Sequence, residues 1–173
     1  MKNIYCSFVI FFIFMVVFIS CSKKKENKKT KEVQKENVSN IVIKKFSFTN
    51  SEKGKIKWIL YSNEAVINKS TNIADLKDVK ILYKNYYTIL SNSAKYYMNE
   101  KKAYLKGDVE IIDNKSYIFK TQMLNFDSKA NKVSTNSKIK FTGKGVYLTA
   151  LSLTGFLDKH KFILKGKVYS EIR

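Results

Sequence analysis

The chain has 173 residues, 45% of them hydrophobic, which suits one folded domain plus an export segment and excludes disorder throughout. Its net charge is +19, yet Arg173 is the single arginine and the other 32 basic residues are lysine. Base reading and bidentate phosphate clamping draw on planar guanidinium groups, so nucleic acid is not the expected partner. The lysine surplus fits either attraction to an anionic surface or amphiphile, or an AT-rich coding sequence.

In chain order the first element is an export segment at residues 1–21. Lys2 precedes an unbroken apolar run, Phe8 to Ile19, of the length of a signal-peptide core. It ends in Phe18-Ile19-Ser20-Cys21, which resembles the lipobox of bacterial lipoproteins with Phe18 in place of the usual Leu. That resemblance implies lipidation at Cys21. The alternative is an uncleaved helix, since Asn3 to Ser22 carries no charge and is long enough to span a bilayer core. Lys23, Lys24 and Lys25 directly after it would by the positive-inside tendency hold such a domain in the cytoplasm. Residues 22–40 follow as a charged flexible tether, with seven lysines and three glutamates between Lys23 and Glu36.

Residues 41–173 read as β structure. Trp58 and Leu60 alternate with Ile59 and Tyr61, and Val79, Ile81 and Tyr83 with Lys80, Leu82 and Lys84. Leu105, Gly107, Val109 and Ile111 share one parity, as do Phe162, Leu164, Gly166 and Val168. A period of two with polar outer positions predicts antiparallel sheet with one wet face. Asn72 to Asp78 reads as a short turn. Polar breaks at residues 99–102, 127–132 and 158–161 recur at intervals of 28 and 31 positions, predicting stacked hairpins. The first strand (Ile41 to Phe48) and the last (Phe162 to Ile172) are expected as edges open to pairing.

Catalytic chemistry finds no support in the sequence. No nucleophile elbow, phosphate loop or metal-ligand spacing occurs, so no enzyme, cofactor or metal is expected. Cys6 and Cys21 both precede the tether, leaving the domain without a thiol. The single histidine, His160, stands before Lys161 in a turn and reads as solvated. The inner face is expected to hold Leu105, Val109, Ile111, Leu124, Phe126, Phe141, Leu151, Leu153, Phe162, Leu164 and Val168. Gly107, Gly143, Gly145 and Gly166 are expected to bend strands or admit a close neighbour.

The order of motifs resembles the LptC family and, more loosely, the OstA-like group. Phe46 and Phe48 precede Gly54, and Trp58 to Ala65 is similar to the family's W-x-L-x-A-x-x-A with Ser62 in place of the first Ala. Leu76-Lys77-Asp78-Val79, then Leu105-Lys106-Gly107-Asp108-Val109, resemble its next strands. Thr121 to Asp127 is similar to T-x-x-L-x-Y-D, and Val133-Ser134-Thr135 with Phe141 to Gly145 resembles V-x-T followed by G-x-G. Leu164 to Val168 closes the pattern, which covers about 120 residues.

The resemblance implies an all-β fold, an open twisted β-jellyroll behind an N-terminal membrane anchor. It implies that the apolar interior takes the acyl chains of lipopolysaccharide or lipooligosaccharide. It further implies docking of the N-terminal edge on an inner-membrane ABC transporter (LptB, LptF, LptG) and of the C-terminal edge on an LptA-like protein. The expected location is the periplasmic face of the inner membrane, through lipidated Cys21 or an N-terminal helix. The other reading is a surface or periplasmic lipoprotein whose β-domain is structural or adhesive.

Overall fold

The computed structural model describes residues 40–172. The export segment with Cys21, and all but the last residue of the tether, lie outside them. The described residues form β1 (Asn40–Glu52), β2 (Lys55–Asn68), β3 (Ile73–Tyr83), β4 (Tyr87–Tyr97), β5 (Lys102–Asp113) and β6 (Ile118–Asp127). Shorter strands follow: β7 (Lys132–Thr135), β8 (Ile139–Gly143), β9 (Val146–Ala150), β10 (Ser152–Phe156), β11 (Lys161–Lys165) and β12 (Tyr169–Ile172). A three-residue 3-10 turn, Leu157–Lys159, joins β10 to β11.

All pairings are antiparallel. One path runs β1-β2-β3-β4-β5-β6-β7-β10-β11, and a branch runs from β6 through β8 and β9 to β12. Local turn chemistry sets much of this. Lys53-Gly54 and Lys144-Gly145 each supply two successive positive φ angles between paired strands, the two-residue hairpin that matches strand twist. Gly145 therefore makes a hairpin turn and does not bend a strand.

A line of irregularity crosses the whole sheet at one level. The ladders skip Lys45 opposite Asn63, Asn63 opposite Asp78, and Asp78 opposite Asn92. The line continues through register shifts at 90/93 against 106/110 and at 106/109 against 121/123. Lys45, Asp78, Gly107 and Asp108 on this line have positive φ. At this seam the inward set changes phase along β2, β3 and β4 and between β9 and β10. Buried Ser62 is followed by Ala65, Leu76 by Val79, Ser91 by Ala94 and Ala150 by Leu153, a step of three where a flat strand steps by two. The bend keeps the apolar face continuous where simple alternation would turn it to solvent.

The phase change explains where the sequence expectations fail. Leu105 and Val109 both stay inside because Gly107 and Asp108 form a two-residue bulge between them. The run from Phe162 to Val168 is not one strand. Gly166 and Lys167 both have positive φ, pairing with β10 ends at Lys165, and the chain resumes beside β9. Val168 is consequently 54% exposed, not inward. Leu151 sits on the seam between β9 and β10 and is 45% exposed. Its N–H is shared between the carbonyls of Lys165 and Gly166, which holds the backbone and turns the side chain out. Nor is Asn72 to Asp78 a turn. β3 begins at Ile73, with Ala74 and Leu76 buried, and Asp78 is the irregular seam residue.

The folded-over sheet packs against itself. Trp58 on β2 meets Phe126 on β6 edge-on with ring centroids 5.8 Å apart, and Tyr87 on β4 meets Phe162 on β11 at 5.8 Å. Leu105, Val109, Ile111, Leu124, Phe126 and Leu153 lie in this core, each nearly inaccessible to solvent. Burial at about 25 cal/mol per Å² of apolar surface makes it the main stabilising element.

Candidate functional site: the aromatic mouth

The core is closed along its centre, and an aromatic cleft lies against it. A cleft of about 390 Å³ lies where the β3–β4 turn, the β5–β6 turn and the start of β11 converge. Its apolar wall is Phe119, Phe141 and Phe162, with Tyr87 and Tyr117 beside them. Phe119 stacks on Phe162 with centroids 4.5 Å apart and tilts against Phe141 at 4.7 Å. Tyr117 stacks on Phe141 at 5.5 Å. Phe141 and Phe162 are half-buried, as are Phe46, Ile67, Met98 and Leu164 around the rest of the core.

Glycines make this wall possible. A Cβ on Gly143 would collide with the Tyr117 ring. A Cβ on Gly155 would lie 2.6 Å from the Phe162 ring and 2.7 Å from Val133. Gly107 has a φ of 78°, and a side chain there would also meet Asn92. Gly166 has a φ of 75° at the break after β11. Gly155 escaped the sequence reading because it falls in a plain alternation, Leu153-Thr154-Gly155-Phe156, and its partners come from other strands.

Polar groups fringe the mouth. His160 is not merely solvated: its Nδ1 lies 2.8 Å from the Tyr87 hydroxyl, and the Tyr86 ring meets it edge-on at 4.7 Å. Asp158 accepts from the Tyr83 hydroxyl and pairs with Lys84. Burial pushes the Tyr83 phenol well above its ordinary range, and the bond to Asp158 adds to that. Burial, then the charge of Asp113, raises Tyr87. Partial burial pulls the Asp158 carboxyl up, but its bonds to Lys84 and Tyr83 outweigh this and hold it below the carboxylate range.

Of the eleven residues expected on the inner face, Phe141 and Phe162 thus line the mouth. Leu164 packs half-buried against the core away from the mouth, six lie in the closed core, and Leu151 and Val168 are outside. Tyr86, Tyr87, Tyr117, Phe119 and His160 were missed as site residues. The aromatic density of residues 83–87 and 117–119 was the available signal, but only the fold brings those two turns to one opening. Among the described residues no group of His, Cys, Asp or Glu could hold a metal ion.

The sequence pattern of the family described as lipopolysaccharide-assembly, LptC-related, matches residues 8–172. The chain belongs to the LptC-related family. This LptC-related protein is thereby a component of lipopolysaccharide transport. Its fold is also that of a solved structure from Pseudomonas aeruginosa, LptH, described as the LptA homologous periplasmic component of the conserved lipopolysaccharide transport device. The two share 10% identity at a TM-score of 0.54, over 67% of this chain and 94% of that one, a likeness of β-jellyroll fold. No curated protein matches this LptC-related sequence significantly.

Proposed function

We propose that the protein is a non-enzymatic carrier of lipopolysaccharide or lipooligosaccharide. It receives the glycolipid from the inner-membrane ABC transporter and passes it to the next periplasmic β-domain. The observation that carries this reading is the mouth: an aromatic wall of Phe119, Phe141 and Phe162 open to solvent and packed against the apolar core. Each methylene moved from water into such a site contributes about 0.8 kcal/mol, so an acyl chain is held without any covalent step. Trp58 supports it from inside. Its buried Nε1–H has no hydrogen-bond partner among the described residues, and an acyl carbonyl would satisfy it.

Transfer also needs neighbours. Among the described residues β1 pairs only with β2, β11 only with β10, and β12 only with β9, edges suited to strand addition. An anchor at residues 1–21, whether lipidated Cys21 or an intact helix, would hold the domain at the periplasmic face of the inner membrane. Among the described residues no helix is long and apolar enough to cross a membrane.

The closed centre, with Trp58, Leu60, Ile81 and Leu105 nearly inaccessible, favours one rival: a filled sandwich serving as a structural or adhesive lipoprotein. Photo-crosslinkers at Phe141, Phe162 and Leu105, with Leu151 and Val168 as outward controls, separate the two in cells. Glycolipid adducts at the first three and none at the controls are expected. No lipid adduct at any inward position would overturn the carrier reading.

A further inference from the structure

The mouth is bridged by two turns that are remote in sequence. One is the β3–β4 turn with Tyr83, Lys84, Tyr86 and Tyr87; the other is the β10–β11 turn with Asp158 and His160. Side chains alone connect them: Tyr83 and Lys84 to Asp158, Tyr87 to His160 at 2.8 Å, and Tyr86 edge-on to His160. Among the described residues no backbone hydrogen bond joins the two turns, each being held by its own neighbours. Lys84 N–H donates to Lys57 on one side, and Leu157 N–H to Asn131 on the other. Among the described residues β11 pairs with β10 alone, and Leu157 at the hairpin tip is buried in the core, so opening falls to the side chains of Asp158 and His160 beyond it. Phe162, two residues from His160, is itself part of the aromatic wall.

We propose that these two turns form a side-chain clasp over the Phe119–Phe141–Phe162 cleft, and that an acyl chain passes this mouth only when the clasp opens. The inference rests on the carrier reading and adds a gate to it. The clasp consists of hydrogen bonds, one ion pair and ring contacts, a closure made of weak, reversible contacts. Such contacts exchange on the timescale of loop motion, whereas the seam and core would have to unfold to open.

Trp58, the single tryptophan, reports on acyl chains reaching the interior, because a brominated chain quenches it on contact. The probe is bromine-labelled dodecanoic acid, added to full-length chain with Cys6 and Cys21 replaced by serine. A loosened variant carries Asp158→Asn with His160→Ala. A locked variant carries Tyr86→Cys with His160→Cys, joined by a short bis-maleimide. Quenching of the loosened form is expected to be faster on the order of ten-fold, the factor that loss of a charge-assisted hydrogen bond implies. The locked form should quench at least that much more slowly than its unjoined parent. If the loosened form fails to fold, Tyr83→Phe takes its place, with the same direction and a smaller factor. Equal rates in loosened, parent and locked forms, with quenching present in all, would overturn the clasp and leave the carrier reading standing. Absence of quenching in every form, the loosened one included, would sink the carrier reading and the clasp with it.

Discussion

Strands β1–β6 and strands β7–β12 meet the same seam, and they meet it differently. The first six run through it as single strands of 10 to 14 residues. The last six stop at it, so that β7 and β8, β9 and β10, and β11 and β12 are pieces of four or five residues on either side. What differs is how the bent backbone is satisfied. In the first half, side chains repair the gap. Ser62 Oγ accepts from Lys77 N–H at 3.1 Å and lies 2.6 Å from the Lys77 carbonyl, while Ser91 donates to the carbonyl of Ser93. On the outer surface Asn63 donates to Asp78 and Asn92 to Asp108, each at 3.1 Å. In the second half short loops interrupt the strands, with the Thr135 hydroxyl accepting from Ser137 N–H and the Leu151 N–H shared between two carbonyls. The first half thus spans the seam as continuous strands, and the second half as separate hairpins. The aromatic mouth lies where the two halves meet.

The contrast can be tested most strongly in the core. Phe126→Ala on β6 is expected to cost about 3–5 kcal/mol in urea denaturation, against about 1–2 kcal/mol for half-buried Phe141→Ala on β8. Equal losses would mean that the second half is packed as tightly as the first. Gly155→Ala, which drives a methyl into Phe162 and Val133, should cost about 1–3 kcal/mol and disturb the mouth. Ser62→Ala removes the acceptor for Lys77 N–H and should cost about 1 kcal/mol, a direct measure of what the stitching contributes. Full stability after that change would show that the seam bends without help from serine.

Smaller effects test the two turns over the mouth. The Asp158 carboxyl is held below its ordinary range in the folded chain. Its stabilising contribution is therefore present above the unfolded value, near about pH 4, and is lost as pH falls through the lower folded value. Urea midpoints of the native chain and Asp158→Asn should converge as pH drops below about 4. A gap that stays constant down to pH 2 would mean that Asp158 does not make these bonds in solution. At the bottom of the scale, Leu151→Ser and Val168→Ser should change stability by no more than about 0.5 kcal/mol, as suits exposed positions. A large loss at either would restore the inward placement that alternation predicts.

The alternation of Trp58, Leu60, Val79, Ile81, Leu105 and Ile111, with polar breaks between, was enough to establish an all-β hairpin domain. These signals are local: side chains on a strand face opposite ways every second residue, whatever the strand pairs with. The motif order from Trp58 to Val168 carried the family resemblance by itself. Tertiary structure decided three further matters. It set the phase change at the seam, because a bulge depends on the residue facing it across the ladder; hence Leu151 and Val168 turned outward against their parity. It gathered Tyr87, Phe119, Phe141, His160 and Phe162 from separate turns into one mouth. It also gave His160 a partner, Tyr87, 73 residues away in the chain, which no local pattern can encode.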